Sequence, residues 1–259
     1  MQLQGTNTYL VGTGHRRLLI DTGQGIPSWS QNIAETLAGH KIVIDKVLLT
    51  HWHGDHTGGV LDLIQLYPQL KGCVYKNLPD AGQQPISDGQ IFCVEGATVK
   101  AVFTPGHSVD HMCFLLEEEN ALFTGDNILG HGTTAVEDLA VYMKTLYRMQ
   151  DKGCKVGYPG HGEEICDLPL VLQTEIGRKQ RRERQIVMGL KDLQGRNGKE
   201  SAGATPRELV LELFGSLPAD VVDTIFEPFM KELLMKLATE KRVAFRFKAG
   251  QRLWFVQEH

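Results

Sequence analysis

Thr50-His51-Trp52-His53-Gly54-Asp55-His56 packs three imidazoles and a carboxylate into seven residues, directly after the short apolar run Lys46–Thr50. That run has the length and character of a strand covered on both faces. A loop leaving the end of such a strand is where α/β proteins usually build their sites. Gly54 allows a tight turn, so side chains on either side of it can point in different directions. Imidazole and carboxylate together suit Zn²⁺, with Mn²⁺ or Fe²⁺ as competitors. A polar surface loop gives no reason for such a density of ligand-capable groups.

Three later segments repeat the theme: Thr104-Pro105-Gly106-His107, Thr124-Gly125-Asp126 and Tyr158-Pro159-Gly160-His161. Each follows a short apolar strand and places one metal-capable residue just beyond it. Strand ends at one edge of a layered domain would converge on a single cavity.

The remaining pattern supplies the layers. Strands are expected over 8–11 and 17–21, joined by the Gly12–Gly14 turn, then over 46–50, 73–75, 91–94, 99–103, 112–116, 121–124 and 156–158. Helices are expected over 28–37, with Ser28 as N-cap, and over 58–66 and 137–149. Strands interleaved with helices define an α/β domain. After about residue 170 the composition changes. A long polar helix over 172–193 carries Arg178-Lys179-Gln180-Arg181-Arg182-Glu183-Arg184, and a flexible stretch over 195–203 follows. The capping box Thr205-Pro206-Arg207-Glu208 opens further helices over 209–214 and 221–237, and a hairpin over 242–256 ends the pattern. This predicts two regions, 1–170 and a helical, winged-helix-like appendage over 171–259.

The net charge of −4 gives no overall positive field to draw in nucleic acid. The basic run at 178–184 is a local exception, open to three readings: a solvated helix face, a dock for an acidic carrier-protein helix, or a contact with RNA phosphate. Five widely spread cysteines without a CxxC pair suit reduced thiols in the cytoplasm. No apolar run reaches the roughly 18–20 residues of a membrane span, and the N-terminus lacks the pattern of a signal peptide.

The HxHxDH motif with its three downstream partners resembles the metallo-β-lactamase superfamily. That resemblance implies an αββα sandwich and two metal ions of the zinc class. One ion would sit on His51, His53 and His107 and the other on Asp55, His56 and His161, with Asp126 bridging them. Asp21, in Leu18-Leu19-Ile20-Asp21-Thr22-Gly23, matches the family's first motif and would orient a histidine ligand. Histidine rather than glutamate at position 53 favours a hydrolytic site over a redox di-iron one. About 34 residues between Asp126 and His161 leave no room for the inserted cap of nucleic-acid-processing relatives.

Leu3–Gly14, Glu117–Ala121 and Gly125–Thr133 sharpen the match, because they are similar to fungal polyketide thioesterases of the atrochrysone carboxyl acyl-carrier-protein type and to the animal β-lactamase-like protein 2 branch. The resemblance implies hydrolysis of an acyl thioester on the carrier-protein domain of a non-reducing polyketide synthase, releasing an aromatic polyketide. Asp55 would act as acid/base on the attacking water. Two alternatives share the same ligands: an endoribonuclease, and a glyoxalase II-like glutathione thioesterase. His111 would either contact substrate or hold its loop, and His131 would either line the pocket or pack structurally. His15, His40 and His259 read as surface residues. In relatives an opening strand or two precedes the Leu3–Leu10 segment, so an exposed edge is expected on the first sheet here.

Overall fold

A computed structural model describes residues 5–197, 203–248 and 250–257; His259 and part of the expected flexible stretch at 195–203 lie outside them. The chain forms two compact units, residues 1–173 and 174–259.

The first unit holds two five-stranded sheets. In the first sheet the order is β1 (Tyr9–Val11), β2 (Arg16–Ile20), β3 (Val43–Leu48), β4 (Val74–Lys76) and β5 (Gln84–Pro85). β1 pairs antiparallel with β2, and the rest of that sheet is parallel. β1 stands at the edge of this sheet. The second sheet runs β10 (Val156–Pro159), β9 (Ala121–Gly125), β8 (Met112–Leu116), β7 (Ala97–Phe103) and β6 (Ile91–Val94). Here β10 and β9 are parallel and the other neighbours antiparallel.

Side-chain alternation along each strand builds the layers. Leu18, Ile20 and Leu48 meet Val99, Phe114 and Phe123 in a core between the sheets. Their neighbours Leu19, Val47 and Leu49 face outward and pack with Ile33, Leu37 and Leu63 from two helices, α1 (Pro27–His40) and α3 (Val60–Leu66). α1 begins one residue earlier than expected. Extended Ile26 is its N-cap and Pro27 takes the first helical position, leaving Ser28 inside the first turn. A one-turn helix, α2 (Gly54–Thr57), precedes α3. α4 (Leu139–Gln150) is capped by the Asp138 carboxylate, which accepts from the Val141 N–H. Tyr142 and Thr145 on α4 donate to the carbonyls of Asn127 and Pro105 in the loops of the second sheet, both at 2.6 Å. The result is the expected αββα sandwich.

Direction decides where the site falls. β7, β9 and β10 run the same way, so their C-terminal ends share one edge of the second sheet. The Met112 N–H donates to the Thr50 carbonyl at 2.7 Å, bringing the end of β3 to that same edge.

The second unit takes in most of α5 (Leu168–Asn197), a 30-residue helix. α6 (Pro206–Phe214) opens with the expected capping box: the Thr205 hydroxyl and the Glu208 carboxylate each satisfy the other's backbone N–H. α7 (Ala219–Val221) passes through a π-helical turn at 222–226 into α8 (Glu227–Thr239). β11 (Val243–Lys248) and β12 (Gln251–Val256) form the antiparallel hairpin. The basic run on α5 divides between two environments. Arg178, Arg181 and Arg184 are exposed, Arg182 lies over the Phe214 ring, and buried Glu183 binds Lys236 and Arg242. All five cysteines are free. Among the described residues no helix is long and apolar enough to cross a membrane.

Phe114 is fully buried between the two sheets. Phe114→Ala should lower the unfolding free energy of the first unit by about 3–5 kcal/mol, seen as an earlier urea transition by circular dichroism.

Candidate metal centre

Asp21 sits just past β2 in the left-handed region, with φ 57°. Its two carboxylate oxygens accept from the Thr50 N–H and the Thr50 hydroxyl, each at 2.8 Å. This pins the residue from which the histidine loop departs. His53 then serves as N-cap of α2, and the single helical turn carries Asp55 and His56, whose Oδ2 and Nε2 come within 3.6 Å of each other.

Hydrogen bonds on the outer side of each ring fix which nitrogen faces inward. His107 Nδ1 meets the Ala135 carbonyl at 2.8 Å, and His161 Nδ1 meets the Gly5 carbonyl at 2.8 Å. A carbonyl only accepts, so both Nδ1 atoms carry a proton and both Nε2 atoms face inward, with a lone pair there when the ring is neutral. His56 Nδ1 lies 2.7 Å from Asp21 Oδ2 and must donate there. The Thr50 hydroxyl spends its proton on Asp21, so at 3.0 Å it accepts from His51 Nδ1. Four imidazoles therefore aim Nε2 into one space, where the neutral form of each ring offers a lone pair.

Two groups of ligand-capable atoms result: His51, His53, His107 and Asp126 in one, and Asp55, His56 and His161 in the other. In the first, His51 Nε2, His53 Nδ1 and His107 Nε2 lie 2.9–3.2 Å apart. In the second, Asp55 Oδ2 is 3.1 Å from His161 Nε2 and 3.6 Å from His56 Nε2. Asp126 stands between the groups, with Oδ1 3.3 Å from His56 Nε2 and Oδ2 3.3 Å from His161 Nε2 and 3.8 Å from His107 Nε2. His56 Nε2 and Asp126 Oδ1 are buried without a hydrogen-bond partner. Inward-facing lone pairs and orphaned buried atoms are what a cation satisfies, so the donor set fits metal ions of the zinc class.

Charge in the centre is unevenly distributed. Burial opposes a cationic His56, but the Asp21 charge, the nearby Asp126 carboxylate and the hydrogen bond to Asp21 raise its pKa to about 10. His161 is likewise raised to about 10, against burial, by hydrogen bonds to Asp126 and Asp55. The His161 contact holds Asp55 down to about 2. Burial raises the Asp126 pKa, but the close contacts with His161 and His56 outweigh it and leave the carboxyl well below the usual range. Burial pushes His51, His107 and His111 below the ordinary imidazole value.

His111 is fully buried and does not line the cleft. Its Nε2 accepts from the Asp126 N–H at 3.1 Å and its Nδ1 lies 2.9 Å from the Asn127 amide, so it holds the loop that carries Asp126. His131 packs beside Gly162, just past His161. Several contributors escaped the sequence reading. Asn7 donates to the Pro159 and Gly162 carbonyls, Thr6 Oγ1 lies 3.3 Å from Asp55, and Thr134 Oγ1 lies 2.9 Å from His107 Nδ1. The run Gly5-Thr6-Asn7 precedes a strand and carries no ligand spacing, so only three-dimensional proximity gives it a role.

The groups open into a cleft of about 830 Å³ whose walls include Gln24, Gly58, Leu129, Thr133 and Ala135. With this geometry in place, comparison with known proteins fixes the class. The chain belongs to the metallo-beta-lactamase superfamily, whose sequence pattern matches residues 2–192. It is similar to an Aspergillus fumigatus protein named "Atrochrysone carboxyl ACP thioesterase", with 58% identity covering 99% of this chain and 83% of the relative. An Aspergillus chevalieri protein of the same name is 52% identical, over 98% of this chain and 82% of that one. The fold matches a crystal structure of a metallo-beta-lactamase family protein from Thermus thermophilus, with TM-score 0.66 and 22% identity covering 97% and 94% of the two chains.

Protein stripped of metal should be most stable near pH 6.5. His56 and His161, raised to about 10, contribute stability that is full below 6.5 and lost as pH rises through 10. His51, His107 and His111, depressed by burial, make the fold less stable as pH falls below 6.5. Melting temperatures of chelator-treated protein across roughly pH 5–10 check this; a flat profile contradicts it.

Proposed function

We propose that this protein is a dinuclear-metal thioesterase that hydrolyses an acyl thioester on a carrier protein and releases an aromatic polyketide. The observation that carries the substrate class is the similarity over nearly the whole chain to proteins named for that reaction. The convergence of seven metal-capable side chains on one cleft supports the hydrolytic chemistry.

His51, His53 and His107 would hold one ion, and Asp55, His56 and His161 the other, with Asp126 between them. Zinc is the preferred metal, with Mn²⁺ or Fe²⁺ as substitutes. When bound, such ions supply Lewis-acid charge and lower the pKa of water to about 7. Asp55 is the more solvent-accessible of the two cleft carboxylates and, held at about 2, is ionised at neutral pH. It can therefore accept the proton of the attacking water but has none to donate at the outset. The leaving thiolate, with a pKa of about 8.5, departs without protonation by an acid. Leu129 and Ala135 offer an apolar wall to the acyl group, with Thr133 between them in sequence.

We assign catalysis to the region 1–170 and read 171–259 as a winged-helix-like appendage. The exposed Arg178, Arg181 and Arg184 would suit an acidic partner such as a carrier protein. Free cysteines support residence in the cytoplasm.

Zinc-loaded protein should hydrolyse an acyl-carrier-protein thioester and leave single-stranded RNA and a glutathione thioester intact, read by mass spectrometry and gel. Turnover of RNA with an inert thioester would overturn the assignment. Asp55→Asn should reduce kcat on the thioester by about 10²–10⁴-fold, checked by steady-state kinetics together with metal content.

A further inference from the structure

We propose that Lys76 and Asp110 form a positioning pair that sets the loop carrying His107 and thereby tunes the metal affinity of the centre. This inference rests on the metal-binding reading above. Asp110 lies within the Thr104–His111 loop, three residues beyond His107, and is only 1% exposed. One of its oxygens accepts from the buried Ser108 hydroxyl at 2.8 Å. The other, Oδ2, has no hydrogen-bond partner and lies 4.0 Å from Lys76 Nζ. Lys76 ends β4 in the opposite sheet and is itself 3% exposed; its ammonium also meets Asp80 at 3.0 Å.

A buried carboxylate with one oxygen unbonded is costly unless an opposite charge is held close. Here that charge comes from the other sheet, so the pair ties β4 to the loop independently of the histidine cluster. The loop is otherwise braced from its own side. The Thr104 N–H donates to the His111 carbonyl, the Gly106 N–H to the Ser108 carbonyl, and Gly106 presses against the backbone of Tyr142. Between these two braces sits His107, whose Nε2 must stay within about 3 Å of its neighbours. Loss of the far brace lets the loop relax away from the first sheet, and His107 moves with it. Outer contacts of this kind typically alter metal affinity by about 10–100-fold.

The test is titration of chelator-stripped protein with Co²⁺ and Zn²⁺ against a competing chromophoric chelator, following the Co²⁺ absorption bands. Wild type, Asp110→Asn, Lys76→Met, the double variant and the milder Ser108→Ala are compared. The expected result is two equivalents bound by wild type, with one of them weakened about 10–100-fold in Asp110→Asn and its absorption band altered. The double variant should be no worse than Asp110→Asn alone, because the two residues act as one tie. Ser108→Ala keeps the pair and should weaken binding less; Lys76→Met serves as the readout if Asp110→Asn does not fold. Wild-type affinity in Asp110→Asn, or in Lys76→Met where it is the readout, would overturn the proposal, as would additive losses in the double variant. Wild-type protein that takes up no metal would instead sink the metal reading itself, and the pair's role with it.

Discussion

The constraint on which the molecule depends is the agreement of ring orientations. Four imidazoles must turn the same nitrogen inward before a cation arrives. Enforcement comes from the outside. A carboxylate at Asp21, a hydroxyl at Thr50 and carbonyls at Gly5 and Ala135 each hold an outer nitrogen in a fixed protonation state. Those partners come from loops at the ends of both sheets and from the segment before β1. The sandwich is thus the frame that brings the four outer partners into register.

Asp21 shows how the frame and the chemistry are joined. Its left-handed backbone and buried carboxylate would be costly in isolation. Three bonds compensate, and through Thr50 and His56 they reach both groups of candidate ligands. A strand terminus with an unfavourable local geometry therefore serves as the hub from which two imidazoles are oriented.

Much of this was legible in the residues. Strand periodicity marked the strands that end in ligand loops, because each alternates between an inter-sheet face and a helix-covered face, as Leu18, Leu19 and Ile20 do. The His51–His56 cluster and the glycine-preceded His107 and His161 announced themselves by chemistry and placement. Local cues also set capping at Thr205, but they misplaced the start of α1, where Pro27 outweighed Ser28. The roles of His111 and Thr134 were not legible, since each depends on a partner 15 or more residues away. Spacing records what a side chain can do, whereas burial and direction decide what it does.

The contacts made by Gly5, Asn7 and Tyr9 span 150 or more positions of sequence. Contacts of such separation carry a large loop-closure cost and tend to form late. Ribosomes deliver these residues about 150 positions before their partners, which emerge only with the last strand of the second sheet and the loop beyond it. During synthesis the segment must wait unpaired, so the orientation of His161 is among the last features of the centre to be settled.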